Sequence, residues 1–95
     1  MSAPAGKTVE ERFEIVNDLG MHARAATRFV QTANRFKSEI AVEKDGQAVN
    51  GKSIMGVLLL VASKGTFIKV RATGEDAEGA LAELGRLVRD GFGEL

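Results

Sequence analysis

The dipeptide Asp45-Gly46 constrains the fold of this chain more than any other sequence feature. It follows a short segment, Glu39 to Lys44, in which Ile40 and Val42 fall on one alternating face. Asp-Gly is a strong signal for a two-residue hairpin, because both central residues of the favoured turn take positive φ angles. The chain therefore predicts a β-hairpin, with Gln47 to Asn50 as the returning strand.

Periodicity elsewhere predicts two further strands and three helices. Apolar residues alternate over residues 8–16 and 66–72, as expected for half-buried strands. Helical spacing of apolar residues predicts helices over residues 23–36, from 54 to about 60, and from 77 through 88. The order β-α-β-β-α-β-α favours an α+β fold, with helices on one face of a small antiparallel sheet. We expect residues 1–7 to form a flexible tail and residues 8–95 a single domain.

Composition and charge argue against several classes of function. Thirteen basic residues balance thirteen acidic ones, so no net field attracts nucleic acid or an anionic membrane. The absence of cysteine and the single histidine argue against disulfides and most metal sites. The longest apolar run, Val57 to Ala62, is far shorter than the roughly 20 residues of a membrane-spanning helix. The N-terminal residues lack the apolar core of a signal peptide. We expect a cytoplasmic protein without nucleic-acid binding or membrane insertion.

The stretch Gly46 to Ser53, "GQAVNGKS", matches the P-loop pattern of nucleotide-binding proteins. A P-loop connects a buried parallel strand to a helix, and such a strand is almost continuously apolar. Here the preceding strand carries Glu39, Glu43 and Lys44, and the first glycine belongs to a hairpin turn. The residues between the two glycines are expected to form a strand instead of a phosphate cradle. We therefore interpret the match as accidental and predict no nucleotide site.

His22 lies at the predicted start of the first long helix, within Gly20-Met21-His22-Ala23-Arg24. One interpretation is an exposed residue at a position where serine or aspartate would cap the helix better. The other is a nucleophile, since a neutral imidazole nitrogen can accept a phosphoryl group. That group would meet the free N–H groups of the helix end and the guanidinium of Arg24. The residues alone leave both interpretations open.

Two interpretations also remain for the segment around Ser53. Its hydroxyl can cap the following short helix, and the same hydroxyl can carry a regulatory phosphate, which the helix dipole would favour. Ile54, Met55 and Leu58 recur at helical spacing just after it. They pack into the core or form part of a docking surface, for which methionine is well suited.

The segments "GMHARAATRFV" around His22 and "VNGKSIMGVLLLVASKG" around Ser53 resemble the HPr family of the bacterial phosphotransferase system. The resemblance implies an open-faced β-sandwich, in which three helices cover one face of a four-stranded antiparallel sheet. It implies that Nδ1 of His22 takes a phosphoryl group from phospho-enzyme I and passes it to an EIIA-type acceptor, with Arg24 holding the phosphate. Ser53 aligns with the serine that HPr kinase/phosphorylase modifies in many bacteria.

A carrier of this kind is expected to be a monomer that needs no metal or cofactor. Its docking surface would lie beside His22, and its arginines would steer acidic partners. The residues expected to bind partners are Met21, Thr27, Arg28, Ile54, Met55 and Leu58.

The sequence departs from the usual family pattern at two places. Ala25 stands where proline is usual, and alanine, as the best helix former, should preserve the helix start. Leu19 stands where many sugar-branch carriers have a polar residue, which makes the turn similar to carriers of the nitrogen-related branch. The alternative function is a regulatory HPr-like module that binds a kinase or transcription factor without relaying phosphate. An adaptor domain without phosphate chemistry would leave both motifs unexplained.

Overall fold

The structure, a computed structural model, describes residues 6–94 of the chain. The strands and helices follow the predicted order, β-α-β-β-α-β-α, and one additional turn of 3₁₀ helix comes after the last helix. The elements are β1 (Lys7–Glu14), α1 (Ala23–Ala33), β2 (Glu39–Lys44), β3 (Gln47–Asn50), α2 (Ile54–Leu59), β4 (Phe67–Gly74), α3 (Ala77–Arg89) and the C-terminal turn (Gly91–Gly93).

The four strands form one antiparallel sheet in the order β1-β4-β2-β3. Lys44 pairs with Gln47 across the predicted hairpin, so Asp45 and Gly46 are its two turn residues. Both have positive φ angles, of 52° and 83°, as a type I′ turn requires. The prediction of a two-residue hairpin is confirmed, and β2 and β3 have the predicted bounds.

The two faces of the sheet differ in polarity. One face is buried under the helices: α3 packs along β1 and β4, and α1 packs against α2 and α3. The other face carries an ion-pair cluster in which Glu10 and Glu43 face Lys69 and Arg71. Because charged side chains cover this second face, it can stay in contact with water. This architecture confirms the predicted open-faced α+β fold. The largest fully buried apolar side chains are Phe29, Phe92, Ile15, Ile68, Leu84, Val42, Val57, Val70 and Val88.

Some element ends differ from the predicted bounds. β1 begins at Lys7, which we assigned to the N-terminal tail, and residues 1–5 of that tail lie outside the described residues. α1 ends at Ala33 instead of Phe36, because the N–H groups of Arg35 and Phe36 bond to carbonyls three residues back, in tight turns. Phe36 still packs against the core, which explains why its spacing resembled a helical position.

None of the helices within residues 6–94 is long and apolar enough to cross a membrane.

Candidate functional site

His22 is the N-cap residue of α1, at the end of a tight turn. Gly20 has a φ of 65°, and a Cβ atom there would lie 2.6 Å from the carbonyl oxygen of Ala62. The N–H of Met21 donates to the same carbonyl at 2.8 Å. Glycine at position 20 thus lets the chain pass close to the loop after α2 before α1 begins. The turn fixes the backbone of His22 while 26% of its side chain stays exposed.

The two ring nitrogens of His22 have different partners. Nδ1 accepts from the backbone N–H of Arg24 at 3.2 Å, in the first turn of α1. Nε2 lies 2.7 Å from Oε2 of Glu94. A nitrogen that accepts from an N–H carries no proton, so the network assigns the proton to Nε2, which donates to the carboxylate. The lone pair of Nδ1 therefore points towards the N-terminus of α1.

Glu94 is a site residue that the sequence reasoning missed. Its Oε1 accepts from Nδ2 of Asn17 at 3.0 Å, and its side chain is only 16% exposed. The hydrogen bond from Asn17 and then the one from His22 lower the pKa of the Glu94 carboxyl below its usual value. Glu94 is therefore a carboxylate at neutral pH.

The C-terminal turn brings Glu94 to His22. Phe92, in the middle of this turn, is fully buried although its φ is 56°. The guanidinium of Arg28 donates to the carbonyl oxygen of Phe92. Arg28, expected at the rim of the docking surface, thus also ties the end of the chain to α1.

Arg24 is the second residue of α1, in its first turn, and its side chain is exposed. Its positive charge makes a small contribution to the lowered pKa of Glu94. Arg24 is thus available to contact an anion bound at Nδ1 of His22. Thr27 lies on the same helix, and its hydroxyl donates to the carbonyl oxygen of Ala23.

An exposed apolar surface lies on and beside α2. Ile54 and Met55 are 40% and 68% exposed, whereas Leu58 is half-buried and packs against the core. Leu59, Val61 and Leu19 are also exposed, although sequence reasoning did not place them at the site. Met21 needs a correction: it is 5% exposed and belongs to the core, because the turn before α1 points it inward. We call the set Leu19, Ile54, Met55, Leu59 and Val61 the apolar surface.

Ser53 is the N-cap of α2, and its Oγ accepts from the N–H of Gly56 at 3.0 Å. The residues between Gly46 and Gly51 form β3, so the P-loop-like segment has no loop that could wrap a phosphate. The ammonium group of Lys52 donates to the carbonyl oxygen of Phe36 at 2.7 Å. The geometry thus agrees with a helix cap at Ser53 and contradicts a nucleotide loop. Within residues 6–94, the acidic and histidine side chains form no cluster of three that could hold a metal ion.

Comparisons with known proteins agree with this geometry. Residues 9–90 match the family model described as the PTS HPr component phosphorylation site. The phosphocarrier protein HPr of Neisseria meningitidis is 48% identical over 86 residues, which cover 90% of this chain and 97% of that protein. The crystal structure of an HPr from Thermoanaerobacter tengcongensis matches with a TM-score of 0.89 at 48% identity, over 92% of this chain and 98% of that one.

A further solved structure shows a related protein in another assembly. Crh of Bacillus subtilis, described as a catabolite repression protein that forms a dimer with a swapped domain, matches with a TM-score of 0.72. It is 44% identical, over 87% of this chain and 95% of that one.

Proposed function

This chain belongs to the HPr family of phosphotransferase-system proteins, and we propose that it relays a phosphoryl group from phospho-enzyme I to an EIIA-type acceptor through His22. The observation that carries the proposal is the orientation of the imidazole ring. Nδ1 holds its lone pair towards the N-terminus of α1, while Nε2 is occupied by Glu94.

This orientation suits a transient phosphohistidine. When Nδ1 attacks phosphorus, the new phosphoryl oxygens lie near the backbone N–H groups of the first turn of α1. Those N–H groups have no partners within the helix, and the helix dipole favours negative charge at this end. Among residues 6–94, the hydrogen bond that must break is the one from Arg24 N–H to Nδ1, which at 3.2 Å is long and weak. The Arg24 side chain would then add a charge-assisted contact to the phosphate.

The apolar surface beside His22 supports transient docking. A relay protein must bind its donor and its acceptor in turn through the same face, so the face must release each partner again. Ile54, Met55 and Leu59 supply exposed apolar contacts, and Arg24 supplies positive charge for an acidic partner. Leu19, which is 70% exposed in the turn before His22, adds to this apolar surface, and leucine at this position resembles carriers of the nitrogen-related branch. We propose that the protein acts in the cytoplasm and as a monomer, because a stable dimer through this face would cover the docking site.

The proposal is tested by incubation with phosphoenolpyruvate and enzyme I. Mass spectrometry should show a gain of one phosphoryl group that is lost in acid and absent from His22→Ala. Arg24→Ala should be phosphorylated more slowly than Arg35→Ala. The second variant is a matched control, because it also removes one exposed arginine but lies beyond the C-terminal end of α1. Undiminished labelling of His22→Ala, or equal rates for the two arginine variants, would contradict the assigned roles.

A regulatory module is the second candidate, and the likeness to Crh favours it. Such a module would use the apolar surface to bind a kinase or a transcription factor, and it would not pass phosphate on. Failure of the wild-type protein to accept phosphate from any active enzyme I would favour this candidate.

Regulation through Ser53 is compatible with both candidates. A phosphate on Ser53 would lie at the start of α2, next to Ile54 and Met55. A partner that covers these side chains would have to remove water from that phosphate, at a high cost in free energy. We propose that HPr kinase/phosphorylase, in organisms that have it, uses this position to weaken docking.

A further inference from the structure

The end of the chain folds back onto the phosphorylation site through three consecutive residues of left-handed backbone. Gly91, Phe92 and Gly93 have φ angles of 62°, 56° and 78°. Left-handed backbone is unfavourable for a phenylalanine, so the surrounding contacts must hold it there. Burial of the Phe92 ring in the core and the hydrogen bond from Arg28 supply those contacts. The result is a fixed position for Glu94.

Asn17 holds the Glu94 carboxylate in place through a hydrogen bond from its side-chain amide. Asn17 is fully buried, and its Nδ2 donates to both Glu94 Oε1 and the carbonyl oxygen of Gly20. The opposite amide orientation would point an oxygen at two other oxygens, so the orientation is determined by the contacts. Oδ1 of Asn17 has no hydrogen-bond partner among the described residues. The contacts of this asparagine are therefore made by Nδ2, which joins the Glu94 carboxylate to the turn before α1.

We propose that Glu94 is a positioning residue for phosphoryl transfer, held by Asn17, and that it keeps the Nε2 proton of His22 in place. A carboxylate opposite the reacting nitrogen fixes the tautomer and orientation of an imidazole. This inference rests on the proposed phosphoryl relay and adds to it the residue that selects Nδ1 as the nucleophile.

Phosphoryl transfer to and from His22 needs no proton transfer at the ring. The Nδ1 lone pair forms the new N–P bond, and the bond from phosphorus to the donor breaks with its electron pair left on the donor. The ring keeps its Nε2 proton and becomes cationic, and the Glu94 carboxylate stabilises that charge. When an acceptor attacks the phosphorus, the N–P electron pair returns to Nδ1 and leaves the starting tautomer.

Nitrogen NMR of the imidazole tests the ring state without any partner. Wild-type protein labelled with ¹⁵N should show, at alkaline pH, an unprotonated Nδ1 and a protonated Nε2. In Glu94→Gln the amide can either accept from Nε2 or donate to it, so the spectrum should show a mixture of tautomers. Glu78→Gln removes the same charge from the far ion pair with Lys7 and should match the wild type.

Transfer kinetics test the consequence. At saturating phospho-enzyme I, Glu94→Gln should be phosphorylated about 10–100-fold more slowly, with an unchanged half-saturating donor concentration. Glu78→Gln should retain the wild-type rate, and the melting temperatures of all three proteins should agree within a few degrees. A protonated Nδ1 in the wild type, or an unchanged rate in Glu94→Gln, would overturn the positioning role. If the wild type accepts no phosphate at all, the proposed relay fails, while the NMR result still decides whether Glu94 sets the tautomer.

Discussion

Val61 offers a substitution that should stabilise this protein although it removes a side chain. Val61 follows the C-cap residue of α2, a position that glycine usually occupies because the backbone there is left-handed. Its φ is 50°, and its N–H bonds to the carbonyl oxygen of Leu58 at 3.1 Å. A β-branched residue is a conformational outlier at such a φ. Val61→Gly should therefore release strain.

The expected gain follows from three contributions to the free energy of unfolding. Left-handed backbone costs a residue with a side chain about 1–2 kcal/mol, and a β-branched residue belongs at the upper end. Glycine loses more conformational freedom on folding, which costs about 0.7 kcal/mol. Because the side chain of Val61 is 75% exposed, its removal loses about a quarter of the burial energy of a valine, or roughly 0.4 kcal/mol. The net effect is about 1 kcal/mol of stabilisation, or about 4–8 °C in melting temperature for a domain of this size.

Thermal unfolding of Val61→Gly and of a matched control checks this estimate. Asp45→Gly changes another exposed residue with a positive φ, of 52°. Aspartate tolerates left-handed backbone, so this control should gain less. Because Val61 lies beside Leu19 and His22 in one groove, we also expect Val61→Gly to accept phosphate more slowly at sub-saturating enzyme I. A lower melting temperature for Val61→Gly than for the wild type would refute the strain argument.

Three further predictions follow from the caps and loops. Ser53→Asp preserves a good N-cap, so its melting temperature should stay within a few degrees while phosphorylation of His22 slows; a wild-type rate at sub-saturating enzyme I would contradict this. Hydrogen bonds from the Ser38 hydroxyl and the Lys37 N–H lower the pKa of the Asp76 carboxyl below its usual value. The stabilisation from these bonds should therefore be present above the usual pKa and be lost as the pH falls through the folded-state pKa. Urea unfolding of Asp76→Asn should thus show a lower stability than the wild type at neutral pH, and the difference should shrink as the solution is made acidic; a constant difference would disprove the linkage. Calorimetry with magnesium and ATP should show no micromolar binding, and saturable binding lost in Lys52→Ala would overturn the hairpin argument.

The strands and helices could be predicted from the sequence because their signals are local. The Asp45-Gly46 turn, the apolar alternation in β2 and the apolar stripe on α1 each reflect backbone geometry within a few residues. His22 and Ser53 could be assigned because each stands where a helix begins. The end of α1 was less certain, since Phe36 keeps a helical spacing although the backbone has already tightened into turns.

The network around the histidine could not be predicted in the same way. Glu94 follows Gly91-Phe92-Gly93, which has no periodicity, and its partners Asn17 and His22 are more than seventy residues away in sequence. The left-handed Phe92 depends on burial in the core, which is a tertiary effect. A signal was present in the paired glycines around an aromatic residue, although it indicates only a turn.

The central claim is that phosphate passes through His22 from one protein to another. The most direct measurement starts with phosphorylated protein freed of enzyme I and phosphoenolpyruvate and mixed with an EIIA-type protein. ³¹P NMR should first show the phosphoryl group on Nδ1 of His22, and the signal should then move to the acceptor in equal amount. A phosphoryl group that is lost only as inorganic phosphate, at the same rate with and without any such acceptor, would contradict the relay.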